Sequence, residues 1–183
     1  MPRLGLEVYC TNMSNINEKR IEASAPEPSR TGCRAESDSD RPNLRVTVVA
    51  TSDRGTLAAL RTAGKLAANL GACVALLKTQ VVPFPLPLER PPVSTNFRGR
   101  QLYGLMREAG IEAEEVTIQL CLCRDRNETL RRILRPNSLV VIGGPERWWR
   151  RSERALERYL NRLGHQVVFV DPDASSSESP ARA

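Results

Sequence analysis

The chain has 183 residues, 40% of them hydrophobic and 26% charged, with a formal net charge of +6, which is the make-up of one soluble globular domain. Its apolar runs are strand-sized, short of the roughly 18 residues a membrane-spanning helix needs. Arg3, Glu7, Asn12 and Asn15 leave no apolar secretory core at the start, so the expected location is the cytoplasm, with no membrane span.

Residues 1–42 carry Ser, Glu, Asp, Pro and Arg with few clustered hydrophobes, too little apolar surface to offset chain entropy, and are expected to form a disordered arm. The tail over 174–183 reads the same way, which leaves a folded domain at 43–173. Val46, Val48 and Val49 mark a first strand over 45–50, and Leu57, Leu60, Ala63, Ala67 and Leu70 share one face of a helix over 56–70 that Gly71 closes. A second strand covers 73–82. The proline-rich stretch 83–92 follows as a stiff surface loop, because proline has no backbone donor and a fixed φ. A helix over 96–109 ends at Gly110. The third strand, 115–123, alternates Val116, Ile118, Leu120 and Leu122 on one face with Thr117, Gln119, Cys121 and Cys123 on the other. A helix over 126–134, broken by Pro136-Asn137, leads to a fourth strand over 139–142. The last helix, 152–163, has Ala155, Leu156, Tyr159, Leu160 and Leu163 as its seam, and Gly164 separates it from a fifth strand over 166–170. Strands alternating with crossover helices give an α/β, doubly wound, five-stranded parallel sheet with helices on both faces, its strands ordered 3-2-1-4-5.

In such a sheet the ligand lies beyond the carboxyl ends of the strands, where strand order reverses. Thr51, Ser52 and Asp53 follow the first strand and Gly143 and Gly144 close the fourth, so hydroxyls, a helix amino terminus and glycines converge as an anion or a nucleotide phosphate requires. The same atoms serve equally if Ser52 or Asp53 simply caps the helix. No Walker loop and no Gly-x-Gly-x-x-Gly occurs, which disfavours P-loop ATPases and Rossmann dehydrogenases, and Asp171-Pro172-Asp173 supplies no receiver-type lysine.

Cys10, Cys33, Cys73, Cys121 and Cys123 lack the spacing of a disulfide framework or zinc module and are expected as reduced thiols. Cys121 and Cys123 stand about 6.6 Å apart on one strand face, a poor disulfide geometry. His165 is the only histidine, at the opposite end of the sheet, and reads as structural; no catalytic residue and no metal site is expected. Arg147-Trp148-Trp149-Arg150-Arg151 joins two tryptophans to arginines, a combination suited to a partner surface. The other arginines between Arg124 and Arg162 alternate with glutamates, a solvated helix face more than a nucleic-acid surface.

This order of elements, with Ala58-Ala59-Leu60-Arg61 in the first helix, Gly71-Ala72 before the second strand and Leu139-Val140-Val141-Ile142-Gly143 before the last helix, resembles the universal stress protein family over residues 45–171. The resemblance implies an adenine-nucleotide alpha-hydrolase-like fold and a homodimer paired through the last strand at Val167, Val168, Phe169 and Val170. It also implies ATP or AMP as the ligand of one branch, at Thr51, Ser52, Asp53, Gly143 and Gly144. Thr51 stands at that branch's acidic position, and Gly143 alone matches its glycine series, with Glu146, Arg147 and the tryptophans where further glycines would fall. The expectation is a non-enzymatic, universal-stress-like protein in stress response or signalling that binds a protein or a ligand. An ATP- or AMP-binding protein is the alternative, and a nucleic-acid-associated module a third reading.

Overall fold

The computed structural model describes residues 8–13, 44–112, 116–144 and 150–172, with the backbone alone at Arg150 and Arg151. In chain order the elements are β1 (Tyr9–Asn12), β2 (Arg45–Val49), α1 (Asp53–Leu70), β3 (Cys73–Val81), α2 (Thr95–Glu108), β4 (Val116–Cys123), α3 (Arg126–Ile133), β5 (Leu139–Gly143), α4 (Arg150–Arg162) and β6 (Gln166–Val170). They build one six-stranded sheet in the order β1-β4-β3-β2-β5-β6. The pairs β2 with β3, β2 with β5, β3 with β4 and β5 with β6 are parallel, whereas β1 runs antiparallel to β4.

The expected five-stranded, wholly parallel sheet is therefore corrected to a six-stranded mixed one. The added strand comes from the stretch expected to be a disordered arm. β1 is four residues long and largely exposed, so its own side chains give little reason to be extended. Backbone pairing to β4 holds it, together with a disulfide between Cys10 and Cys121, residues that face each other across the pair. This corrects the expectation of reduced thiols at Cys10 and Cys121. The remainder of that arm and the tail lie outside the described residues.

Because side chains alternate along a strand, each strand feeds two layers. Val46, Val48, Leu76, Ile118, Leu120 and Val141 pack under α1 and α2 against Leu60, Ala63, Leu102 and Met106. Val49, Leu77, Cys121, Val140 and Ile142 pack on the other face against Leu130, Leu134, Leu156 and Leu160 of the α3–α4 side. The buried stripe of α1 is Gly55, Thr56, Ala59, Leu60, Ala63 and Ala67. These are mostly small residues, which bring the helix close to the sheet, while Leu70 at the helix end is 49% exposed. On α4 the buried positions are Glu153, Leu156 and Leu160, and Ala155 and Leu163 of the expected seam face outward.

The proline-rich segment between β3 and α2 has a small core of its own, in which Leu88 is buried against Val82 and Leu122, with Tyr9 of β1 alongside. Arg124 ties it down further. Its Nη1 and Nη2 donate to the carbonyls of Val82 and Leu86 at 2.7 and 2.8 Å, and its guanidinium lies 4.1 Å from the centre of the exposed Phe84 ring.

Candidate functional site

The chain leaves β2 at Ala50 and turns through Thr51 and Ser52 into α1. Ser52 is the N-cap, its Oγ accepting the Gly55 N–H at 3.2 Å, which satisfies one of the donors a helix start leaves unpaired. Thr51 is held from three sides. Its N–H donates to Thr56 Oγ1 at 3.0 Å, its hydroxyl donates to the Gly143 carbonyl at 2.7 Å, and its own carbonyl accepts from Lys78 Nζ at 2.9 Å.

Gly143 and Gly144 serve close packing. A Cβ on Gly143 would stand 1.7 Å from the Gly55 carbonyl oxygen, and one on Gly55 would stand 2.7 Å from the Gly144 carbonyl oxygen. Only hydrogen side chains let the first turn of α1 meet the end of β5 backbone to backbone. Gly144 sits against the Phe169 ring and donates its N–H to the Val170 carbonyl at 2.9 Å. The crevice between β2 and β5, where strand order reverses, is filled by these contacts.

Open space lies one strand over. A cleft of about 480 Å³ at the carboxyl ends of β2 and β3 is walled by Thr51 and Ser52, by Lys78 and Thr79 of β3, by Arg126 of α3 and by Glu153 of α4. Burial holds the Lys78 ammonium below its ordinary pKa, the positive charges of Arg98 and Arg126 push the same way, and Asp53 opposes them. Burial also lowers the pKa of Arg126, with Glu153 and Cys123 acting against it. The Nε and Nη2 atoms of Arg126 are buried and have no hydrogen-bond partner among the described residues. Glu153 is buried as well, and the Ser152 hydroxyl donates to its Oε2 at 2.7 Å.

Of the residues expected at the site, Thr51 and Ser52 border this cleft. Asp53 is turned toward α2, where both its oxygens accept from Gln101 Nε2 at 2.9 and 2.8 Å. Lys78, Thr79, Arg126 and Glu153 are not among the expected residues, and two of them carry a legible signal. Lys78 is the one charge in the apolar strand Cys73–Val81, and Arg126 places a cation in the first turn of a helix, where the helix dipole disfavours it.

Arg147, Trp148 and Trp149 of the expected partner surface lie outside the described residues, and Arg150 and Arg151 open α4. Val167, Val168, Phe169 and Val170 are half-buried on the strand at the end of the sheet, with the Arg154 guanidinium 3.9 Å from the Phe169 ring centre. His165 is buried at the amino end of β6, its Nδ1 3.0 Å from Ser138 Oγ, and burial lowers its pKa. Burial pushes the Cys123 thiol pKa up, which keeps it a poor nucleophile. Among the described residues no three His, Cys, Asp or Glu side chains gather as metal ligands, and no helix is long and apolar enough to cross a membrane.

No protein-family model matches the chain, and no curated protein does. Among solved structures, a macrolide-efflux protein from Streptococcus pneumoniae is similar over 72% of this chain and 46% of its own length, with 15% identity and a TM-score of 0.38. The chain is also similar to a protein from the universal stress protein family of Burkholderia pseudomallei, over 70% of this chain and 96% of that one, with 18% identity and a TM-score of 0.47.

Proposed function

We propose that this protein acts by binding rather than by catalysis: a small ligand sits in the cleft at the carboxyl ends of β2 and β3, and two copies pair through β6. The observation that carries this reading is the position of the cleft, an opening beyond the carboxyl ends of β2 and β3 that gathers Lys78, Arg126 and Glu153 with the Thr51–Ser52 turn, on the sheet edge where α/β folds take their ligands and one strand from the reversal of strand order. The setting attached to it, stress response or signalling, comes from the sequence resemblance alone.

Adenine nucleotides are the first ligands to test. The packed Gly143 and Gly144 leave no glycine-lined approach for a triphosphate, so AMP fits this reading better than ATP. Thermal unfolding with ATP, ADP and AMP, with and without magnesium, is expected to show a saturable rise in Tm, equivalent to about 2.7 kcal/mol at one hundred times Kd. A flat response to all three removes the nucleotide and moves the binding role to the segment Arg147-Trp148-Trp149-Arg150-Arg151.

A further inference from the structure

The side chains that wall the cleft carry more buried hydrogen-bond donors than the described residues use. Lys78 Nζ has three protons and, among the described residues, makes one hydrogen bond, to the Thr51 carbonyl at 2.9 Å. Arg126 adds Nε and Nη2, both buried and both unpartnered among the described residues. These two nitrogens form the side edge of the guanidinium plane, the fork that grips two oxygens of one oxyanion. A buried donor left unsatisfied costs about 1–3 kcal/mol, and more when it is charged. Holding the Arg126 edge unpaired beside a second cation, Lys78, is therefore expensive for the fold alone. Among the described residues one carboxylate, Glu153, lines the same cleft, leaving one net positive charge among the described side chains that wall it.

From this we infer that Lys78 and Arg126 form an oxyanion seat, and that the ligand of the cleft is a small phosphate monoester. The inference rests on the ligand-binding reading of the cleft and adds the chemistry that the ligand must carry. A phosphate monoester has three terminal oxygens, two for the Arg126 fork and one for the Lys78 ammonium, with Ser52 and Thr79 at the same wall. A carboxylate can also answer a fork and a second cation, as Glu128 does with Arg131 and Arg132, but with one oxygen fewer it leaves less for the remaining Lys78 protons and the Ser52 and Thr79 hydroxyls, so acetate is expected to bind more weakly than phosphate. The cleft volume of about 480 Å³ falls in the range of small-molecule pockets, so there is space for the body of an ester beside its phosphate.

The test is a calorimetric and thermal-shift titration of the full chain with inorganic phosphate, AMP and adenosine at constant ionic strength set with chloride. Phosphate and AMP are expected to bind saturably, AMP more tightly, and adenosine far more weakly than AMP. Arg126→Lys, which keeps the charge and loses the fork, and Lys78→Met are each expected to weaken phosphate at least about tenfold with an unchanged circular dichroism spectrum. A measurement on the unaltered protein accompanies these: the Nε–H resonance of Arg126 is expected to move saturably with added phosphate. An immobile Arg126 resonance, or phosphate binding unchanged in both variants, overturns the seat. AMP binding that persists undiminished in both variants overturns the seat and leaves the cleft reading intact, whereas no response of the unaltered protein to either phosphate or AMP removes both.

Discussion

A methyl group on Gly143 would stand 1.7 Å from the carbonyl oxygen of Gly55, backbone against backbone. Neither side can rotate away, so Gly143→Ala is expected to cost more than about 4 kcal/mol or to prevent folding, as measured by urea unfolding. At Gly144 the obstacle is the rim of the Phe169 ring, 2.7 Å from the added carbon, and a side chain can move. Gly144→Ala should therefore cost about 1–3 kcal/mol, and a double-mutant cycle with Phe169→Ala should recover most of the clash component. His165 gives a pH prediction of definite sign. Burial holds its folded pKa below the ordinary 6.5, so the unfolded chain takes up the proton first. Its contribution is complete above that value and declines as the pH falls through it toward the folded pKa. Stability measured from pH 7.5 downward should fall more steeply in the native protein than in His165→Gln. At this scale the sequence was partly legible. Lys78 shows as a charge inside an apolar strand, but that its ammonium and the Arg126 fork share one cleft depends on elements 48 positions apart.

Helices and parallel strands were readable because their periods differ. The alternation in β4 sends Val116, Ile118 and Leu120 to one layer and Cys121 to the other, as two-residue periodicity requires. β1 could not be read this way, since four residues, three of them exposed, held by their neighbour's backbone show no pattern of their own. Reducing the Cys10–Cys121 bond, which closes a span of 111 residues, should destabilise the chain by up to about 5 kcal/mol on loop-closure grounds. It should also open the stretch near β1 to protease, and unchanged cleavage after reduction would show that backbone pairing alone holds the strand. In α3, Glu128 accepts from Arg131 and Arg132 at 2.7 to 2.9 Å, and these bonds bring its pKa down to about 2. A depressed carboxylate adds stability above its unfolded pKa and loses it as the pH falls toward 2. Glu128→Gln should flatten that acid limb slightly, because the group is solvent-screened.

For the molecule as a whole, topology pointed to the carboxyl edge of the sheet, and the open cleft lies one strand from the crevice it named. Strand order alone points to the crevice between β2 and β5; whether that crevice is open depends on three glycines and one phenyl ring, contacts that no periodicity encodes. The proposed pairing of two copies through β6 predicts a dimer in analytical ultracentrifugation, and a monomer at every concentration would remove that edge from the functional reading. The proline-rich segment follows β3 at the carboxyl edge of the sheet. With Leu88 anchored, two carbonyls of the β3–α2 connection gripped by one guanidinium and Phe84 stacked against that group, it is held in one shape. A partner of this edge, were there one, would meet a surface whose shape precedes it, a lock already cut, with no slow ordering step before contact and little tolerance for another outline.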